Sequence, residues 1–206
     1  MVQDVFQVGD IKFNADKIIH AAIRESQQGA DLVVFPELAL VGYPPEDLLL
    51  RKGFIRQAEA ECSRIRQSLQ ASIGDTGIIF GLPVAQGDSI YNAAIYIVNG
   101  EIKHSYFKQS LPNYSVFDEL RYFKAGKSSA VIDVKGFRIG LLICEDVWQS
   151  AYVEQAVQDG AELVLVINAS PFHIDKHDQR VDILKRNVTR FNKPVLYLNM
   201  CGGQDE

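Results

Sequence analysis

The sequence has no apolar run long enough to span a bilayer. It has no basic-then-apolar leader either, since it opens MVQDVFQVGD. There is no low-complexity linker and no short repeat of the kind that builds a solenoid. Three cysteines, Cys62, Cys144 and Cys201, are odd in number, far apart and without zinc-ribbon spacing. A disulfide framework and a structural zinc site are therefore not indicated, no metal is expected, and a reducing cytoplasm is the natural setting. Positive charge is also scarce: 21 Lys and Arg stand against 26 Asp and Glu, a net charge of −5. That balance argues against nucleic acid or an anionic membrane as the main partner.

What is present suits one α/β domain. A length of 206 residues with 47% apolar and 23% charged content can bury a large core without cross-links. Asn14 can cap a helix running to about Gln28, which Gly29 stops. A strand follows over residues 31–35, and a long helix over 47–73 with a break near Gly53. Residues 77–83 and 91–98 read as strands, and Asn99-Gly100 turns the second into another at 101–108. Residues 108–127 lack periodicity, which in a compact domain often marks function. Strands at 130–134 and 137–143 pair across Lys135-Gly136. Then come a helix at 150–159, a strand at 163–168, a loop at 169–177, a helix at 179–191 and a strand at 195–198. Residues 29–34 echo residues 160–165, each a helix stop feeding a buried strand. Hairpins mixed with helix–strand units predict a mixed sheet with helices outside it. Residues 5–8 make a poor first strand, and residues 201–206 read as a loop, so the chain reads as incomplete at both ends.

Chemistry concentrates where apolar runs end. The run at residues 139–143 ends in Cys144, followed by Glu145, Asp146 and Trp148. The acids suit the first turn of a helix, and a Cys at a strand-to-helix turn sits near N–H groups that favour a thiolate. The same position also suits a small buried core thiol. Two more runs end in reactive groups, residues 32–35 before Glu37 and 104–107 before Lys108. Read singly, Glu37 is a loop acid and Lys108 a solvated strand end. Read together at strand ends, where open α/β sheets place their sites, the three make a set for attack on an amide. Glu37 can take the thiol proton and later activate water. Lys108, with the Glu145 N–H, can stabilise an oxyanion.

The pattern resembles the nitrilase, or carbon–nitrogen hydrolase, superfamily through Phe35-Pro36-Glu37-Leu38, Tyr106-Phe107-Lys108 and Cys144-Glu145-Asp146-Val147-Trp148. More narrowly it is similar to the glutaminase domain of bacterial glutamine-dependent NAD synthetases. That likeness rests on the stretches at residues 42–49, 108–119, 121–123 and 168–173. The resemblance implies a four-layer α-β-β-α sandwich that cleaves glutamine through a cysteinyl thioester. Ammonia then passes through an internal tunnel to a synthetase domain. It implies Glu37 as base, Lys108 as oxyanion stabiliser, Cys144 as nucleophile and Glu119 as the acid orienting the lysine. Tyr114, Ser170 and Lys176 match positions that hold glutamine, with Tyr43, Phe117 and Glu145 as pocket wall. A glutamine pocket needs both signs of charge, so Lys176 is assigned to the α-carboxylate and Glu145 to the α-ammonium.

The glutaminase step is expected to need no cofactor. ATP and magnesium are implied for a synthetase domain that this sequence lacks, since no Ser-Gly-Gly-x-Asp-Ser type loop occurs in it. The complete protein is expected to be a homo-oligomer. Two other readings stay open: a stand-alone amidase acting on another small amide, and a non-catalytic interaction domain on the same scaffold. A downstream ATP pyrophosphatase domain would favour the first reading over both.

Overall fold

The two-residue period of a strand divides its side chains between two cores. In the computed structural model, which describes residues 1–202, β2 (Gly77–Gln86) sends Ile78, Phe80 and Leu82 into one core and Ile79 into another. β3 (Ser89–Val98) repeats the split, with Ala93, Ile95 and Ile97 on the first side and Ala94 and Tyr96 on the second. The first core is covered by α1 (Ile11–Gln27) and α2 (Lys52–Gln70). The second lies against another sheet, whose outer side carries α3 (Ser150–Gln158) and α4 (Lys176–Phe191). The layers therefore run α-β-β-α. Two sheets stand where the pattern of elements alone suggested one.

The first sheet has the order β1-β2-β3-β4, with β1 (Leu32–Val34) parallel to β2 and β4 (Glu101–Phe107) antiparallel to β3. β1 and β4 thus run the same way and end at the same edge. The second sheet has the order β5-β6-β7-β8. β5 (Val131–Val134) is antiparallel to β6 (Phe137–Ile143), and β7 (Leu163–Asn168) and β8 (Val195–Asn199) continue parallel to β6. Gly140 of β6 faces α3, where an added Cβ would lie 3.0 Å from that of Ala156, so the helix sits close to the strand.

Several boundaries differ from the expectation. Asp10 caps α1, accepting from the Phe13 N–H at 3.1 Å. Asn14 is instead buried inside the helix, exchanging hydrogen bonds with the Gln7 backbone and donating to the Leu40 carbonyl at 3.2 Å. The helix expected over 47–73 is broken earlier, at Arg51, whose extended backbone separates a 3-10 turn at Glu46–Leu50 from α2. Strands β2 and β3 run on into a two-residue hairpin at Gly87-Asp88, with Gln86 opposite Ser89. A 3-10 turn, Cys144–Trp148, replaces the helical first turn expected for the acids, and α4 starts at Lys176 rather than at residue 179. The poor first strand is a single parallel bridge from Val5 to Cys201. Of the loop expected over 201–206, residues 203–206 lie outside the described residues.

One contact ties this frame to the strand end at Glu37. Leu38 has φ +49, a turn that drives residues 37–38 against Gly81 of β2. The Gly81 N–H donates to the Pro36 carbonyl at 3.1 Å, and a Cβ there would lie 2.1 Å from the Leu38 nitrogen. Only backbone meets backbone at this point, so no flexible side chain can give way. Gly81→Ala is expected to lower the unfolding free energy by about 1–3 kcal/mol or more, as overpacked cores do. Urea denaturation measures it, and a variant as stable as wild type would show that residues 37–38 are not held by this contact.

Candidate active site

Four strand ends deliver the site. Pro36 breaks regular pairing after β1 and turns Glu37 inward, where it is fully buried. Lys108 follows β4, held by its N–H to the Asn92 carbonyl at 2.9 Å. Cys144 follows β6, and Ala169 and Ser170 follow β7. Glu119 arrives from the aperiodic segment on a short 3-10 turn, Glu119–Arg121.

Lys108 is 1% exposed and stands between two carboxylates. Its Nζ donates to Glu37 Oε1 at 2.8 Å and to Glu119 Oε1 at 2.7 Å. Burial alone would lower the lysine, but Glu37 and Glu119 outweigh it and raise it well above its ordinary value. The ammonium is therefore fixed as a cation, with two of its three N–H groups committed. Glu37 also accepts from Asn92 Nδ2 at 2.7 Å and, through Oε2, from the Ala169 N–H at 2.9 Å. Glu119 also accepts from the Tyr43 hydroxyl at 3.2 Å.

Cys144 lies within this field. Burial raises its thiol, Glu37 raises it further, and Lys108 and a hydrogen bond with Ser170 oppose them. The Sγ–Oγ distance to Ser170 is 3.3 Å. The thiol is thus a proton donor beside a buried carboxylate. Cys144 also has φ +46, a strained conformation for a residue with a Cβ, worth roughly 1–3 kcal/mol. Asp146 holds the strain in place. Its Oδ2 accepts from the Ile143 N–H and the Tyr106 hydroxyl, and its Oδ1 from the N–H groups of Gln109 and Ser110. Hydrogen bonds to a charged group contribute about 1.5–3 kcal/mol each, so four of them outweigh the strain. Burial still lifts the Asp146 carboxyl to about 6, which shows that its desolvation is not wholly offset.

The expected binding residues fall around this centre. Tyr114 donates to Glu145 Oε2 at 3.0 Å, and Phe117 meets Tyr114 edge-on at 5.6 Å. Tyr43, Phe117 and Glu119 line one cavity of about 260 Å³. Tyr43 and Ser170 line a smaller one of about 60 Å³. Lys176, the first residue of α4, has its ammonium over the Trp148 ring, 4.7 Å from the centroid. That contact is with the turn after Cys144 rather than with Ser170. The sequence reading missed Asn92, Asp146 and Asn199. Asn92 carried a signal, a polar residue inside an apolar strand, while Asp146 was read only as a helix-start acid.

Burial pushes Glu119 from the ordinary 4.5 to about 7, against the opposing pull of Lys108. Its folded value is thus above its unfolded one. The stability it contributes is fully present below about pH 4.5 and is lost as pH rises through about 7. Glu119→Gln removes the titration. Between pH 5 and 8 the urea midpoint of the variant should fall less than that of wild type, and parallel profiles would contradict the assignment.

Comparison with known proteins agrees with this geometry. Residues 7–206 match the family model described as carbon-nitrogen hydrolase. The glutamine-dependent NAD(+) synthetase of Xylella fastidiosa is 44% identical over 209 residues, covering 100% of this chain and 37% of that protein. The chain thus spans little more than a third of the length of the curated relatives it matches. The structure of glutamine-dependent NAD+ synthetase from Acinetobacter baumannii superposes with a TM-score of 0.92 at 35% identity, covering 100% of this chain and 38% of the other. An amidase of the nitrilase superfamily from Nesterenkonia superposes with a TM-score of 0.87 at 28% identity, covering 98% of this chain and 75% of the other. With buried Glu37, Lys108 and Cys144 brought together at the strand ends, the chain belongs to the carbon–nitrogen hydrolase family.

Proposed function

We propose that this chain is a glutaminase domain that hydrolyses the side-chain amide of glutamine through a thioester on Cys144. The ammonia feeds ATP-dependent NAD synthesis by a synthetase domain outside this sequence. The observation that carries the reading is the match along the whole chain to glutamine-dependent NAD synthetases. A covalent step on the cysteine has a parallel in the Nesterenkonia amidase, whose active-site cysteine takes up the acetamide moiety of fluoroacetamide. The glutaminase step uses no cofactor, and ATP and magnesium belong to the synthetase step. The setting is the cytoplasm, and the complete protein works as a homo-oligomer.

The chemistry follows from the groups. Glu37 takes the Cys144 proton as sulfur attacks the amide carbon. The oxyanion is met by the third N–H of Lys108 and by the Glu145 N–H, donors worth roughly 2.7–4 kcal/mol of barrier each. Glu37 returns the proton to the leaving nitrogen, and ammonia departs. Glu37 then deprotonates water, which attacks the thioester. Collapse returns the sulfur, which regains its proton, and releases glutamate. Glu119 and Tyr43 act behind the lysine by fixing its direction. At the far end of the substrate, Lys176 and Ser170 take the α-carboxylate, Glu145 and Tyr114 the α-ammonium, and Phe117 forms wall.

The likeness to the Nesterenkonia amidase supports a second reading, a stand-alone amidase on another small amide. One experiment separates the two: catalytic efficiency on glutamine relative to a simple amide without α-groups, in wild type and Lys176→Ala. Cys144→Ala serves as the inactive control, and a downstream synthetase domain is included. Truncating one partner of a buried charge pair costs 2–5 kcal/mol, so the ratio should fall by an amount corresponding to at least about 2 kcal/mol. An unchanged ratio favours the stand-alone amidase.

A further inference from the structure

Ser170 lies in the irregular segment between β7 and α4, yet its hydroxyl is 3.3 Å from the Cys144 sulfur. Its backbone is held from β8. Asn199 Oδ1 accepts from the Ser170 N–H at 2.9 Å, and Asn199 Nδ2 donates to the Ser170 carbonyl at 3.2 Å. One side-chain amide therefore satisfies both polar backbone groups of a single residue, as a neighbouring strand would. The β7–β8 register ends at Asn168 opposite Asn199. The Asn199 side chain carries the pairing two residues further, to Ser170. The strand end is itself pinned. The Met200 N–H donates to the Asn168 carbonyl at 2.9 Å, and buried Asn168 donates to the carbonyls of Val166 at 3.0 Å and Leu198 at 3.1 Å.

We propose that Asn199 is a positioning residue for the nucleophile: by holding Ser170 it keeps the Ser170 hydroxyl on the Cys144 sulfur, where it donates to the thiolate. The inference rests on Cys144 being the nucleophile. The surroundings give that donor its weight. The charged and titratable groups facing Cys144 are Glu37 after β1, Tyr43 in the loop before the first 3-10 turn, Lys108 after β4, Tyr114 and Glu119 in the aperiodic segment, and Tyr197 of β8. Burial, Glu37 and Glu119 all act against a negative sulfur; Lys108 and the Ser170 hydrogen bond act for it. Two of the Lys108 N–H groups are already given to carboxylates. The Ser170 hydroxyl is thus the neutral donor placed directly on the sulfur.

The test is the rate of Cys144 alkylation by iodoacetamide from pH 6 to 10, read by peptide mass spectrometry, in which thiolate displaces iodide to form a thioether. Wild type, Asn199→Ala, Ser170→Ala and the double variant are compared, with Cys62 and Cys201 as internal references. Asn199→Ala and Ser170→Ala should each slow Cys144 by about threefold to tenfold at pH 8 and move its profile to higher pH. The double variant should be no slower than Ser170→Ala, because the two act as one unit. A structural role alone would lower thermal stability and leave the profile in place, which overturns the proposal. Additive losses in the double variant overturn it equally. Should Asn199→Ala fail to fold, the isosteric Asn199→Asp and its double with Ser170→Ala carry the same comparison. There the loss of the donor acts through Ser170 and does not add, whereas the new charge acting directly on sulfur would add and overturn the proposal. Wild-type labelling confined to Cys62 and Cys201 would instead sink the nucleophile assignment, a result distinct from either.

Discussion

A lysine buried between two carboxylates is the interaction on which the rest depends. Removing an ion from water costs several kcal/mol even after the protein relaxes, so three such groups can share a core only if they satisfy one another. Lys108 meets Glu37 and Glu119 at 2.8 and 2.7 Å. Glu37 reaches across to the Ala169 N–H after β7, and Glu119 brings in Tyr43. The cluster therefore joins the two sheets and the aperiodic segment at one point. Sandwich packing brings the strand ends near each other, and the charges fix which atoms face which.

The nucleophile depends on this arrangement without being charged in it. Cys144 is raised by burial and by Glu37, which keeps the sulfur protonated until a substrate offers the electrophile. Its strained φ of +46 turns the sulfur toward the cluster, and Asp146 binds the turn to the segment after Lys108. The second sheet completes the surroundings, since Asn199 at the end of β8 sets the backbone of Ser170. Base, oxyanion donor and thiol thus come from separate strand ends, and their mutual geometry belongs to the fold as a whole.

The order of elements was legible because burial leaves a period in the sequence. Alternation over residues 78–82 marked a strand, and Asn99-Gly100 marked a turn. The two-sheet architecture was not legible from periodicity, since Ile79 and Ile78 are equally apolar though they face different cores. It came from the resemblance alone. Helix starts were misplaced where a side chain had a tertiary use: Asn14 looks like a cap in sequence, but its amide binds Gln7 and Leu40 inside the fold. Glu37, Lys108 and Cys144 were visible because each ends an apolar run. Asn199 was invisible because its partner, Ser170, sits 29 residues away and the bond is to backbone.

The central claim is that Lys108 is held as a cation by Glu37 and Glu119 and that this triad organises the site. Urea unfolding of Lys108→Met, compared with the triple variant Lys108→Met, Glu37→Gln, Glu119→Gln, tests it most directly. Removing only the cation leaves two buried carboxylates unpaired, so Lys108→Met should lose about 3–5 kcal/mol. The triple variant, with no buried charge left in the cluster, should recover most of that loss. Lys108→Met as stable as wild type, or a triple variant no more stable than Lys108→Met, would contradict the account.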